Sequence, residues 1–242
     1  MRLDGLRIVV VSVFYNTKDL LCPLFRSFKR NSGLSSSDFV VYDNSDDIRK
    51  KLCELGTEYK DIKLVSVNPA IFVNEGIQPY NGSAKHTKTI DMALSKLQES
   101  YDICVLLDSD VIITAPVVPY IEKMLLGNYT LCGFHHITVN RDLIHPCAMI
   151  INLNDIKTHN IRFYDKSRII GIPPTANTYD TGMSFYEDVI KHNLRVLEIP
   201  YNAYYSHFGA GSRDYRKAGK VEVGEIYRDL DAWLNKFKSY YM

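Results

Sequence analysis

The sequence lacks a CxxC pair, a strong net charge and any apolar run long enough to cross a bilayer. Its five cysteines, Cys22, Cys53, Cys104, Cys132 and Cys147, are odd in number and follow no regular spacing. Several sit in apolar runs, which fits reduced, mostly buried thiols better than a disulfide set. The formal net charge of +1 supplies no overall field toward nucleic acid or an anionic membrane. Only a local basic patch remains as an electrostatic route to either. The opening stretch MRLDGLRIVVVSVFYN has an apolar core too short to span a membrane, and no small-residue cleavage site follows it. The expectation is a cytoplasmic protein with no transmembrane segment and no leader. Internal repeats, low-complexity tracts and clear linkers are also missing, which predicts one domain over residues 1–242.

What is present is a run of alternating strand and helix patterns. At 242 residues and 46% hydrophobic, the chain can bury one large α/β core. RIVVVSVFYN (Arg7 to Asn16) is nearly continuous in apolarity, as a central parallel strand covered on both faces would be. A helix follows, with Thr17 as its N-cap, Leu20, Leu21, Leu24 and Phe28 on one face, and Gly33 as its stop. DFVVYDNS is a second strand, DDIRKKLCEL a helix and IKLVSVN a third strand. Residues 68–83 read as a long loop, and AKHTKTIDMALSKLQES as a helix with Ile90, Ala93, Leu94 and Leu97 inward. YDICVLL is the fourth strand. This order predicts a Rossmann-like α/β fold, a mixed, mainly parallel sheet flanked by helices. The second half adds strands at YTLCGFHHITV, HPCAMIINL and LRVLEIP, a helix at MSFYEDVIKHN, and an amphipathic helix from Val221 to Tyr241. In its WLNKFKSYYM segment, packing against the domain is favoured over dipping into a membrane surface.

The fourth strand runs straight into Asp108, Ser109 and Asp110. Two carboxylates that close repel each other and resist desolvation. In a turn, both can address one hard cation, and a divalent ion removes the repulsion. Mg²⁺ or Mn²⁺ would take its remaining ligands from water and from phosphate oxygens. The competing reading is an ordinary Asp-Ser turn. Ligands in such sheets bind beyond the carboxyl ends of the strands, so Tyr15 and Asn16, Asp43, and Asp108 with Asp110 should gather along one rim.

The series VSVFYN, VVYDNS and VLLDSD resembles the opening of glycosyltransferases of the GT-A fold, especially the family-two-like group, over roughly the first 110 residues. The second half is similar more loosely, through HPCAMIINL, YDTG and YSHFGAGS. The resemblance implies a nucleotide-binding half over residues 1–112 and an acceptor-side half with a C-terminal helix over 113–242. It implies that Val13, Tyr15 and Asn16 border the base and ribose of a nucleotide. Asp43 would hydrogen-bond the base, against the alternative of an Asx-turn after the strand. Ser109 would lie near the ribose, Asp110 on the metal, and Asp108 on the metal or the ribose. The implied donor is a nucleoside-diphosphate sugar, UDP or GDP, because a carboxylate at Asp43 suits uracil N3–H or the amine edge of guanine equally.

Further roles follow from the same resemblance. His86, where a helix begins, would sit near the diphosphate, with Lys85 and Lys88 able to serve alike; a surface histidine on the first turn is the alternative. His207, after a late strand and before a glycine loop, would be a third metal ligand. Arg213, Arg216 and Lys217 follow the glycines and would close over the diphosphate, since glycines permit a hinge and cations offset the leaving group's charge, against the alternative of a solvated basic loop. The catalytic base of family-two enzymes is usually in an ED pair at a helix start, a fixed distance before a turn and a strand. That distance favours Asp180 in YDTG over Glu187 and Asp188 in YEDV, with N-capping as the alternative for Asp180. The expected activity is transfer of a sugar to an acceptor hydroxyl with inversion. The acceptor is left open among a glycan, a lipid-linked sugar and a modified nucleic-acid base. Competing readings are a non-catalytic nucleotide-sugar-binding protein on the same scaffold, a nucleotidyltransferase, which would want a Gly-rich N-terminal phosphate loop, and a DxD phosphatase. The phosphatase motif would want Thr or Val where this chain has Ile112.

Overall fold

The computed structural model describes residues 3, 5–45, 59–78, 81–138, 141–168, 170, 179–209 and 230–242. Its centre is strand β1 (Ile8–Phe14), every residue of which is buried. The strand is apolar except for the buried Ser12 because it is covered twice. Val10 and Phe14 point into one core and Val9, Val11 and Val13 into the other, as the two-residue period of a strand requires. Each such buried side chain contributes about 1.5–3 kcal/mol relative to exposure.

Around it run β2 (Asp38–Asp43), β3 (Ile62–Ser66), β4 (Ile103–Asp108), β6 (Leu131–Thr138), β7 (Arg141–Asn152) and β8 (Val196–Glu198). They form a seven-stranded sheet in the order β3-β2-β1-β4-β7-β6-β8. Strands β3, β2, β1 and β4 are parallel, β7 runs antiparallel to β4 and to β6, and β8 is parallel to β6. Two short strands, β5 (Val111–Ile113) and β9 (Tyr205–His207), pair antiparallel as a separate ribbon. The mixed, mainly parallel α/β sheet expected from the sequence is the observed one.

Helix α1 (Leu21–Asn31) packs Leu21, Leu24, Phe25 and Phe28 onto the first core and ends before Gly33, whose φ of +76° is the left-handed turn that glycine adopts without strain. Thr17 does not cap it. A 3-10 turn, Lys18–Leu20, intervenes, and the Thr17 hydroxyl donates instead to Ser109 Oγ at 2.9 Å. The segment 68–83 is not all loop. Ala70–Asn74 form a short helix, α2, that buries Phe72. Helix α3 (Gly82–Leu97) begins earlier than expected because the Asn81 side chain accepts from Ala84 N at 2.9 Å and caps it. Its Ile90, Ala93, Leu94 and Leu97 lie in the second core.

Helices α4 (Val118–Leu126), α5 (Leu153–Thr158) and α6 (Met183–Lys191) complete the flanks. Strand β7 starts four residues before the predicted HPCAMIINL, since residues 141–144 pair with the end of β6. Between the pairs Gly133–Met149 and His135–Ile144, four residues of β7, His145 to Ala148, face Phe134 alone, which is a bulge. Of the expected C-terminal helix, Leu230–Lys236 is described as α7, followed by a 3-10 turn at Lys238–Tyr240. Trp233 of α7 is fully buried, donates to Ser206 Oγ at 3.0 Å, and stacks at a tilt on Phe208. The segment therefore packs on its own domain, as the favoured reading held. The predicted helix around residues 46–55 and Cys53 lie outside the described residues. Cys22, Cys104, Cys132 and Cys147 are free thiols, the last three buried. No helix among the described residues is long and apolar enough to cross a membrane.

Candidate functional site

The parallel register brings the strand ends together. Phe14 lies opposite Asp43 and Val13 opposite Asp108. The rim expected from the sequence therefore exists. Val13 is one step below it, buried in the second core. Past β1, Asn16 turns the chain with φ of +57°, a left-handed value that asparagine tolerates better than most residues. Its amide donates to Ser45 Oγ at 2.9 Å, and Asn44 N donates to Phe14 O at 2.8 Å, so the loops after β1 and β2 are tied to each other. Asp43 Oδ1 accepts from Ser45 N at 3.0 Å, which is an Asx-turn. That turn fixes the carboxylate at the rim. Lys85 Nζ lies 5.8 Å from the Tyr15 ring centre, at the same rim.

Beyond β4 the chain turns through Ser109 and Asp110 into β5, whose partner β9 carries His207. Val111 pairs with His207, Phe208 N donates to Asp110 O at 2.9 Å, and Gly209 N donates to Asp110 Oδ2 at 3.1 Å. These bonds hold His207 Nε2 at 3.2 Å from Asp110 Oδ1 and 3.8 Å from Asp108 Oδ2. Ligand atoms of the three side chains lie within 4.8 Å of one another. His86 stands on the opposite side, with Nε2 3.5 Å from Asp108 Oδ1. It is in the second turn of α3, not the first, and it faces the acidic pair instead of open solvent.

The electrostatics are those of a site short of positive charge. Burial pushes the Asp108 carboxyl above the usual carboxylate range; His86 and His207 oppose that shift, while Asp110 and Asp180 add to it. Burial also works against charge on His207, yet the adjacent Asp110 carboxylate overrides it and holds the imidazole well above its ordinary value. Two carboxylates and an imidazole at this spacing form a set that could hold a divalent cation.

Asp180 affects Asp108 electrostatically, so it belongs to the same basin. Thr181 beside it meets Thr87 of α3 at 3.4 Å between hydroxyl oxygens, and Asp180 Oδ1 accepts from Thr181 N at 2.8 Å. Glu187 and Asp188 do not share the basin's chemistry. Arg168 NH2 binds Asp188 Oδ1 at 2.7 Å and Glu187 Oε2 at 3.4 Å. Lys88 is likewise engaged elsewhere, with Glu75 at 2.7 Å and over the Tyr164 ring. Arg213, Arg216 and Lys217 lie outside the described residues. Sequence reasoning missed Ser45, the Thr17–Ser109 bond, and two neighbours of His207. These are His145, with its ring centre 5.5 Å from that of His207, and Cys147. The HPC run was the available signal, read only as part of a strand.

No protein-family model matches the chain, and no curated protein matches it in sequence. Solved structures do resemble it in three dimensions. One is TarS of S. aureus, at 15% identity and a TM-score of 0.53 over 96% of this chain and 44% of that one. Another is TarS 1–349 in complex with UDP-GlcNAc, at 12% identity and a TM-score of 0.50, covering 91% of this chain and 60% of that one. A third is the bifunctional glycosyltransferase WbbM, at 13% identity and a TM-score of 0.51, covering 83% and 40%. The chain spans between 40% and 62% of the length of the solved chains described as similar. At these identities the likeness establishes the fold, and that fold is GT-A.

Proposed function

We propose that this GT-A chain is a metal-dependent glycosyltransferase that moves a sugar from a nucleoside-diphosphate sugar to an acceptor hydroxyl with inversion. The observation that carries the reading is the convergence of Asp108, Asp110 and His207 at the strand-end rim, 3.2 to 3.8 Å between imidazole and carboxylates. That donor set is what a diphosphate-bound divalent cation needs, and it stands where ligands bind in sheets of this kind. UDP- and GDP-sugars both suit Asp43; the UDP-GlcNAc complex of TarS makes the uridine donor the first choice.

Residues 1–112 form the nucleotide-binding half in this reading, and 113–242 the acceptor side. Tyr15, Asn16 and the backbone around Val13 border the base and ribose, Asp43 accepts from the base, and Ser109 meets the ribose. Asp108, Asp110 and His207 hold Mn²⁺ or Mg²⁺, which when bound offsets negative charge on the leaving diphosphate. His86 and Lys85 flank the diphosphate from α3, where the helix N-terminus also favours an anion. Asp180 takes the acceptor's proton as the acceptor oxygen bonds to the anomeric carbon. The bond from that carbon to the diphosphate oxygen breaks, and its electron pair leaves with the nucleotide.

The test is thermal melting of the protein with UDP, GDP, CDP and dTDP, each with and without Mn²⁺, followed by release of nucleoside diphosphate from the sugar donor that binds. A metal-requiring shift for one nucleotide, together with slow donor hydrolysis, is expected. No shift for any pair would overturn the reading. A shift without hydrolysis or transfer would point to a binding protein on the same scaffold.

A further inference from the structure

The metal-side histidine has a second set of neighbours. Residues 145–147 occupy the bulge of β7, where β6 offers only Phe134 opposite them. The Cys147 backbone N–H donates to His145 Nδ1 at 3.2 Å, which holds the imidazole beside Cys147 within the bulge. Ala148 is paired with Leu107 in β4, which sets Cys147 one step further along, beside the strand end that carries Asp108. From the other direction, Tyr205 and His207 alternate along β9. The Cys147 thiol bears on both of them electrostatically. One ligand atom each from His145, Cys147 and His207 lies within 4.8 Å of the others.

That geometry is close to what a small cation requires. Nitrogen and sulfur ligands on a tetrahedral zinc ion stand about 3.5 Å apart, from Zn–N near 2.0 Å and Zn–S near 2.3 Å. Rotamer adjustments of roughly an ångström close the set. The ligand chemistry also differs from that of the acidic pair. Thiolate with two imidazoles selects a borderline-soft ion such as Zn²⁺ and disfavours Mg²⁺ or Mn²⁺, which prefer oxygen. Zn²⁺ binding releases the thiol proton to solvent as the sulfur–metal bond forms. Cys147 is fully buried, the side chain of His207 is 10% exposed and His145 is half-buried, so the histidines are the more solvent-facing members of the three.

We propose that His145, Cys147 and His207 form a second cation site, specific for a thiophilic ion of the Zn²⁺ class, which shares His207 with Asp108 and Asp110. An ion held there draws His207 away from the hard-metal site, so the thiophilic ion inhibits nucleotide binding by taking a ligand, without entering the nucleotide pocket. The inhibitory consequence rests on the function proposed above; the binding itself does not.

The experiment uses Co²⁺ as a coloured substitute for Zn²⁺ on the full chain. The wild-type protein is expected to show a sulfur-to-cobalt charge-transfer band that saturates with one equivalent and is displaced by Zn²⁺ but not by Mn²⁺. Cys147→Ser should abolish the band, and His145→Gln should weaken Co²⁺ binding at least tenfold, a second probe should Cys147→Ser fold poorly. Asp110→Asn should keep the band. In the melting assay, stoichiometric Zn²⁺ should erase the Mn²⁺-dependent nucleotide shift of the wild type and leave that of Cys147→Ser in place. No band in the wild type, or an equal band in Cys147→Ser, would overturn the site. An intact band with no nucleotide shift in any protein would leave the zinc site standing and remove the transferase reading instead.

Discussion

His207 Nε2 stands 3.2 Å from Asp110 Oδ1 across a two-stranded ribbon, and the same aspartate also accepts from Gly209 N through its other oxygen. Asp110 therefore has two jobs. One oxygen orders the chain after β9, and the other faces the imidazole.

Replacing the carboxylate by its amide separates these jobs. Asp110→Asn keeps an acceptor for Gly209 N and removes a negative charge from beside Asp108. The melting point without metal is expected to fall slightly, because the buried His207 loses the carboxylate that favours its charge, offset in part by relief at Asp108. The Mn²⁺-dependent nucleotide shift should vanish, and sugar transfer should fall by about a hundredfold or more, the scale for losing one electrostatic stabiliser of a leaving group. Differential scanning fluorimetry and a nucleotide-release assay read both.

Asp180 and Asp188 are predicted to respond in opposite currencies. Asp180→Asn should leave stability within about 0.5 kcal/mol while lowering turnover by about 10²–10⁴, the usual worth of a general base. Asp188→Asn should leave turnover per folded molecule nearly intact and destabilise the protein, because Arg168 loses its 2.7 Å partner. Denaturant titration beside steady-state kinetics distinguishes them.

Trp233 supports β9 from beneath, through its bond to Ser206 at 3.0 Å and its packing on Phe208. Trp233→Phe should cost about 1–3 kcal/mol, since the Ser206 hydroxyl is left buried without its donor. It should also weaken Mn²⁺ binding, through the position of β9. Urea midpoints and isothermal titration with Mn²⁺ in the presence of nucleotide measure the two effects; a stability loss with unchanged metal affinity would show that β9 keeps its position unaided.

The bond between Arg7 and Asp102 gives a pH signature. The Arg7 guanidinium and its own backbone N–H hydrogen-bond the carboxylate and hold it below its ordinary value of 3.8. The folded value is depressed, so the stabilisation is present above the unfolded value and is lost as the pH falls through the folded one. Arg7 is largely exposed, which limits the contribution to about 0.5 kcal/mol. The stability gap between wild type and Asp102→Asn should be seen at pH 7 and close below about pH 4, followed by urea melts across that range.

The parallel half of the fold was readable because its signals are local. The nearly continuous apolarity of β1 and β4 states that both faces are covered, and the carboxylates after Tyr42 and Leu107 mark where β2 and β4 stop. Asp108 and Asp110 announce themselves as a pair that needs compensation. Other parts depend on contacts that a linear reading does not hold. Thr17 looks like a cap until Ser109 arrives from across the sheet to take its hydroxyl. Asn81 looks like one more loop asparagine until its side chain meets Ala84 N. Arg168 removes Asp188 from contention only once residues twenty apart in sequence are seen to touch. His145 and Cys147 gain their meaning from a bulge, and a bulge is a property of two strands paired, not of one.

The ribbon of β5 and β9 also says something about order in time. All seven strands of the main sheet are contributed by residues up to Glu198, whereas His207 is delivered by a pairing that closes a loop of roughly a hundred residues with Val111. A chain synthesised as far as Glu198 has every strand of that sheet but neither β9 nor α7. Such a nascent molecule carries both carboxylates, yet it lacks the imidazole and also Tyr204, Tyr205, Phe208 and Trp233, which complete the first core. The segments that bring His207 to the acidic pair also close the first core, so the proposed cation site and the finished fold are acquired together.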